Sequence, residues 1–425
     1  MSRSIITKFY WLLPFFLVLL QVVYTLNSTT QIRYEETDQL RNNYWFAHHL
    51  IIQAGYTNFG GYGTVDIVNW LFGFHLWNYK YLKLFIALFS LFSAAILLRR
   101  YLGVKWATVV LLIFGLSPTM LFYNTLATVY AVDMQYFPIL LLLVLTTFKN
   151  SFLELGKYAV LWMLMMWGWL SYPTMAFLVL PIGIFFIQTQ GKTKKFRWLS
   201  IAVALVAFVI PVISCVLWVH NRDQLFDSRG NGIFLSGGAP EIRNSLGDTF
   251  YQAFAGLGKN LFIKATAYEF EVNQVEFSGI IPFFALIFIV MTPLLCFNKA
   301  KGARLTIFLC FVVIFLNFIL SSIAIFSGGG FRRFTPLLLG FYCLLGINIY
   351  LVYSKRIFAT SLPKWLVSVS IGIILIHHIV VYPINFSHIK DPSHFREFSY
   401  FNLYESPQAA LDQTVSDTSF APDIV

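Results

Sequence analysis

Charge is scarce in this chain. Asp, Glu, Lys and Arg make up 12% of its 425 residues, against 58% hydrophobic and 18% aromatic, and the mean hydropathy is +0.70. So little polar residue cannot coat a soluble globule of this length, which excludes a water-soluble domain of ordinary kind. Cysteine is scarce too. Cys215, Cys296, Cys310 and Cys343 show no CxxC spacing and fall within or beside apolar runs, which leaves packing rather than disulfides or metal ligation as their role. Internal repeats and low-complexity tracts are lacking. The first apolar run ends in "VVYTLNSTT", without an A-x-A-like cleavage site, and therefore reads as a retained anchor rather than a secretory signal.

Long apolar runs are abundant instead. A hydrocarbon core about 30 Å thick needs roughly 20 mostly apolar residues per helix, and this length identifies about eleven runs bounded by charge, Gly or Pro. They lie near 9–26, 80–98, 104–123, 130–148, 157–171, 172–189, 197–219, 279–297, 304–326, 334–353 and 364–383. The tract 157–189 is too long for one crossing, and Ser171 and Pro173 in "GWLSYPT" suit a tight turn that divides it. The fold class is an all-α polytopic membrane protein.

The distribution of charge orients it. Lys and Arg accumulate in short cytoplasmic loops because moving them across the membrane is costly. Arg3 and Lys8, then "RRYLGVK", "KNSFLELGK", "GKTKKFR", "NKAKGAR" and "SKR" to Lys364, hold more than half of the 30 basic residues and, of the 19 acidic ones, Glu154 alone. The N-terminus then lies inside and the C-terminus outside. Net charge +11 and pI near 9.4 follow from this topology and from anionic lipid headgroups, with no nucleic acid as partner. A bacterial inner membrane is the expected location, since no endoplasmic-reticulum retention signal ends the chain.

On this division residues 1–26 form the first transmembrane helix, 27–79 the first outer loop, 80–219 helices two to seven, 220–278 a second outer loop suited to cover a cavity, 279–383 helices eight to eleven, and 384–425 an outer tail. In the first outer loop, Thr37 or Asp38 caps a helix from Gln39 toward Ala54, whose Leu40, Tyr44, Ala47, Leu50, Ile51 and Ala54 share one face, as a helix lying in the membrane surface requires. The "NFGGYG" that follows reads as a turn, and "TVDIVNWLFGFHLW" as a second interfacial helix.

Chemistry should be sought where charge persists against this background. Glu35, Glu36 and Asp38 follow the first span closely, and like charges at the membrane surface raise one another's pKa, which turns a carboxylate into a base useful near neutral pH. The blander role is a solvated, helix-capping loop. Asp133 stands alone at the outer start of the fourth span, either facing a cavity or capping the helix. Arg332 and Arg333, in "SGGGFRRFTPLLLGFY", lie at an outer helix end where the charge bias predicts no basic pair; their guanidinium forks suit a phosphate at headgroup depth, or plain headgroup anchoring. The adjacent pairs His48, His49 and His377, His378 diverge by about 100° on a helix and make poor metal sites.

Taken in order, these features resemble the GT-C type of polyprenyl-phosphate-dependent membrane glycosyltransferase, the type of protein O-mannosyltransferases and of lipid A aminoarabinose transferases. The resemblance rests on "EETD" after the first span, on the run from "GYTNFGGYG" to "LLRRYLG", on "LSPTMLFYNTLATVYAVD" with its Ser-Pro ending and following acid, and on "GGGFRRFTPLLLGFY". It implies a GT-C-like fold, and transfer of a sugar from a polyprenyl-phosphate donor at the outer leaflet to an acceptor hydroxyl, with inversion. Glu35 or Glu36 would then be the base, Asp38 and Asp133 would orient the acceptor or tune the base, and Arg332 and Arg333 would bind the lipid phosphate. No cofactor is required by this scheme. A divalent cation on Glu36, Asp38 and Asp133 is the minority alternative, after the metal-using members of the type. Two other classes compete: a lipid-linked sugar transporter or flippase, which should carry charges or broken helices near the midplane, and a non-catalytic structural subunit with a GT-C-like fold.

Overall fold

The computed structural model describes residues 10–28, 59–73, 78–115, 132–171, 175–189 and 193–220, with the single positions 312, 365, 369, 372 and 376. All regular elements among the described residues are helical. A 3-10 turn at Tyr10–Leu12 enters α1 (Leu13–Ser28); then follow α2 (Phe59–Phe72), α3 (Asn78–Gly115), α4 (Val132–Leu145), α5 (Ser151–Ser171), α6 (Ala176–Thr189) and α7 (Lys194–His220). The expected runs 9–26, 130–148, 157–171, 172–189 and 197–219 fall on α1, α4, α5, α6 and α7. Those from 279 onward, apart from the single positions just named, and the surface helix at 39–54 lie outside the described residues.

The packing is that of helices bathed in lipid. On α7, Leu205, Val206, Val209, Ile210, Ile213, Val216 and Leu217 are exposed, whereas the small residues Ser200, Ala204 and Ala207 are buried. On α1, Phe16, Leu19, Leu20 and Val23 form an exposed stripe at i, i+3, i+4, i+7, and on α3 Tyr81, Phe85, Phe89 and Phe92 form another at i, i+4, i+8, i+11. Large apolar groups outside and small ones at the helix contact is the arrangement that lipid favours, because tails solvate Leu and Phe as well as a neighbouring helix does. Helices α3 and α7 contain segments, Tyr81–Leu112 and Lys194–Leu217, long and apolar enough to cross a membrane. Backbone polar groups there have no water to bond, and the helix satisfies them internally.

Helix α5 is central. It packs along α7, where Trp162 and Trp169 meet the Phe208 ring at 6.1 and 6.3 Å, and also touches α2, α4 and α6. The end of α6 lies against the start of α5, and α7 begins five residues after α6 ends, so α5 and α7 start at the same end of the bundle. Tyr158, near the start of α5, stacks edge-on against Phe186, near the end of α6, at 4.8 Å. Arg100 Nη1 reaches Thr146 Oγ1 over 3.3 Å and joins the middle of α3 to the end of α4. The segments 99–105, 146–150 and 193–197 are thereby gathered at one end of the bundle, with Arg99, Arg100, Lys105, Lys149, Lys194, Lys195 and Arg197. The opposite end carries α2 and the starts of α3, α4 and α6.

The expected runs 80–98 and 104–123, the latter as far as Gly115, fall on α3, whose 38 residues are two helices meeting at a kink within "RRYLGVK", the segment expected to divide them; unbroken they would run about 57 Å, nearly twice the hydrocarbon core. The break falls on Gly103, at φ 78° and ψ 168°, a backbone region essentially reserved for glycine. One expectation is corrected: "NFGGYG" is not a turn, since α2 starts at Phe59 and Gly60 lies on the helix surface that meets α5. A Cβ on Gly60 would run into the carbonyl oxygen of Trp167 and come within 2.5 Å of Ser171 Oγ, so only glycine permits this approach. Thr64 Oγ1 then accepts the Trp167 indole N–H over 2.8 Å, while its own hydroxyl donates to Gly60 O.

Candidate functional site

Polar groups buried between apolar helices cost free energy unless they are bonded, so they mark the places where structure or chemistry demands them. Besides the Thr64–Trp167 contact, two such clusters stand out among the described residues, one at each end of the bundle.

The first explains the lone acid among the basic segments. Asn150 caps α5, accepting the Phe152 N–H at 2.8 Å, and so sets the first turn that carries Glu154 and Lys157 inward. Glu154 is buried at the start of α5 and accepts three hydrogen bonds: from Lys157 Nζ at 2.7 Å, the Tyr158 hydroxyl at 2.6 Å and the Phe148 N–H at 2.8 Å. Lys157 Nζ also donates to Thr146 O at 2.6 Å and sits 4.2 Å from the centre of the Tyr158 ring. Burial opposes the charge on Glu154, but the bonds from Lys157, Tyr158 and Phe148 outweigh it and hold the carboxyl below its usual range. An ionised, fully bonded carboxylate of this kind is a structural clasp and a poor proton acceptor.

The second cluster lies at the opposite end, where α2 turns into α3. Asn78 Nδ2 donates to Gly73 O at 3.0 Å and to Asn69 Oδ1. The Gly73 carbonyl can only accept, which fixes which atom of Asn78 is the donor; that donor in turn fixes Oδ1 of Asn69 as the atom facing it. Asn69 Nδ2 is therefore left as the remaining donor, and it has no partner although the residue is only 7% exposed. An unmet buried donor costs about 1–3 kcal/mol. Trp162 Nε1 is also unmet, but it lies between the Phe186 and Phe208 rings in the apolar middle of the bundle.

One turn further along α3, Lys83 is 4% exposed on the buried stripe that continues through Ala87, Leu91, Ala94 and Leu98. The sequence reading passed over it. Its signal was present in "NYKYLKLF", a basic residue inside a span at the end where the charge pattern expects none. Asp133 occupies the second position of α4, at the same end of the bundle as α2. Glu35, Glu36, Asp38, Arg332 and Arg333 lie outside the described residues; the three acids belong to the chain segment that leads into α2.

The helices as a whole define the GT-C fold of membrane glycosyltransferases. Among solved structures, ArnT from Cupriavidus metallidurans bound to undecaprenyl phosphate matches with a TM-score of 0.56 and 11% identity, over 100% of this chain and 81% of ArnT. The apo state of the same enzyme gives 0.54 and 12%, over 96% and 76%. An oligosaccharyltransferase from Archaeoglobus fulgidus, in complex with zinc and sulfate, gives 0.48 and 10%, over 90% of this chain and 53% of that one. No family model and no curated protein sequence matches the chain. At such identities the likeness defines the fold, and with the lipid-facing helices it makes the chain an integral membrane protein.

Proposed function

We propose that this protein is a glycosyltransferase that moves a sugar from a polyprenyl-phosphate donor to an acceptor hydroxyl at the outer face of the membrane, with inversion at the anomeric carbon. The observation that carries the reading is the likeness, over the whole chain, to an ArnT structure solved with undecaprenyl phosphate. The sequence motifs supply the roles. Glu35 or Glu36 takes the proton from the attacking hydroxyl, with Asp38 and Asp133 orienting the acceptor or tuning the base. Arg332 and Arg333 receive the departing phosphate, and Lys83, a cation held inside a membrane helix, adds positive charge at the α2 end of the bundle. The acids follow the first span closely because one substrate is a lipid whose reactive head never leaves the membrane surface.

In this reading the basic end of the bundle is cytoplasmic and the α2 end is outside, as the cost of moving Lys and Arg across a membrane favours. A bacterial inner membrane is the proposed location.

The test is product formation by the purified protein from a panel of radiolabelled polyprenyl-phosphate sugars, beside a Glu35→Gln, Glu36→Gln double variant. Loss of a general base should lower turnover by about 10²–10⁴-fold. Equal transfer by both proteins would remove the acids from the mechanism. No transfer with any donor would favour the transporter or structural-subunit classes. Chelation in the same assay reads metal dependence through Glu36, Asp38 and Asp133.

A further inference from the structure

The Asn69 amide is built as though something outside the described residues completes it. Its oxygen is committed to Asn78, Asn78 is committed in turn to the Gly73 carbonyl, and its Nδ2 donor is unmet and buried. A purely structural residue at such a place would do better as leucine, of similar size and with no donor to satisfy. Gln or Asn side chains fixed by a second amide are instead a common way to aim one N–H at a ligand oxygen without cost of reorganisation. The position fits that use. Asn69 lies in the last turn of α2, at the bundle end that also holds Asp133 and the buried Lys83.

We infer that Asn69 is a substrate-binding residue whose Nδ2 donates to an oxygen of the sugar-phosphate head of the donor lipid, with Asn78 as the positioning residue that orients it. This rests on the transferase reading above and adds to it a neutral donor that recognises an oxygen acceptor without adding charge. The acceptor is either a phosphoryl oxygen or a sugar hydroxyl, and two probes separate these: undecaprenyl phosphate, and a polyprenyl phosphate carrying the sugar.

The experiment measures binding of each probe to the full-length protein in nanodiscs, together with its melting temperature, for wild type, Asn69→Asp and Asn69→Leu. Asp keeps the oxygen that Asn78 needs and loses the free donor; Leu loses both. Binding should weaken about tenfold or more in both variants, the equivalent of one lost hydrogen bond. Weakening with both probes assigns the bond to the phosphate, and weakening with the sugar-bearing probe alone assigns it to a hydroxyl. The melting temperature of Asn69→Leu should equal or exceed that of wild type, since a donor kept for a ligand burdens the empty fold. Unchanged binding in both variants would overturn the inference and leave the transferase reading standing. A joint fall of melting temperature and binding in both variants would make Asn69 structural and likewise overturn it. Failure of wild type to bind either probe would overturn the functional reading and this inference with it.

Discussion

The Glu154 clasp permits a quantitative test of how the α4–α5 connection is held. Replacing Glu154 by Leu removes the carboxylate from the buried Lys157 ammonium, the Phe148 N–H and the Tyr158 hydroxyl alike. Breaking a buried ion pair from one side costs about 3–5 kcal/mol, because a buried charge is left uncompensated. Removing both charges, as in Glu154→Leu with Lys157→Met, takes a partner from neutral groups alone, the Phe148 N–H, the Tyr158 hydroxyl and the Thr146 carbonyl, at about 1–3 kcal/mol each at most. The double variant should therefore be more stable than Glu154→Leu alone, and its loss should fall short of the sum of the single losses by about 2 kcal/mol or more. Equilibrium unfolding of the purified proteins in mixed micelles of rising denaturing-detergent content measures all four states of the cycle. Strict additivity, or a Glu154→Leu loss below about 0.5 kcal/mol, would refute the clasp, since surface substitutions do no more than that.

The same group makes a pH prediction. Its carboxyl is held below the usual 4.5, so the folded state binds that proton less tightly than the unfolded state; the stabilisation is complete above 4.5 and is lost as pH falls from there through the folded value. A wild-type melting temperature that declines in this acid range, and does so less in the Glu154→Leu, Lys157→Met variant, is the expected result. Gly60→Ala should destabilise by about 1–3 kcal/mol through overpacking on the α5 backbone. Gly183→Ala, whose added carbon would rest 3.5 Å from the Trp162 ring, should not; equal behaviour of the two would mean that α2 does not lie on α5 as described. Gly103→Ala meets no neighbour but must adopt a glycine-only conformation, at about 1–3 kcal/mol, whereas the helical and exposed Gly156→Ala should be neutral or stabilising; the same unfolding assay compares them.

Helices α1 and α3 to α7 were legible because the membrane imposes a length and a charge pattern that survive in any single sequence. The GT-C fold was legible from the order of its motifs. What escaped was the role of glycine. "NFGGYG" read as a turn because glycine interrupts helices in water, yet Gly60 supplies a helix-packing surface, whereas Gly103 in "RRYLGVK" does break a helix, where the charge pattern had placed a boundary. Composition cannot separate the two, since the difference lies in whether a second backbone passes close by. Glu154 and Lys157 stood out only as an anomaly and a member of a basic segment; their pairing follows from an i, i+3 spacing that becomes meaningful once α5 is known to begin at Ser151. The candidate acids and arginines could be picked out by their rarity, but whether any of them face one another is a matter of tertiary packing between segments some 300 residues apart, and no local pattern encodes that.

All of the donors to Glu154 come from residues between Phe148 and Tyr158. The acid can thus be hidden as soon as this one hairpin leaves the ribosome, before α6 and α7 have been made. A machinery that chooses orientation by weighing emerging charge would then meet a segment whose negative member has already cancelled against its own lysine, leaving Lys149 to be weighed. The carboxylate that seems to contradict the basic character of that end would, on this timing, be silent at the moment when sidedness is decided.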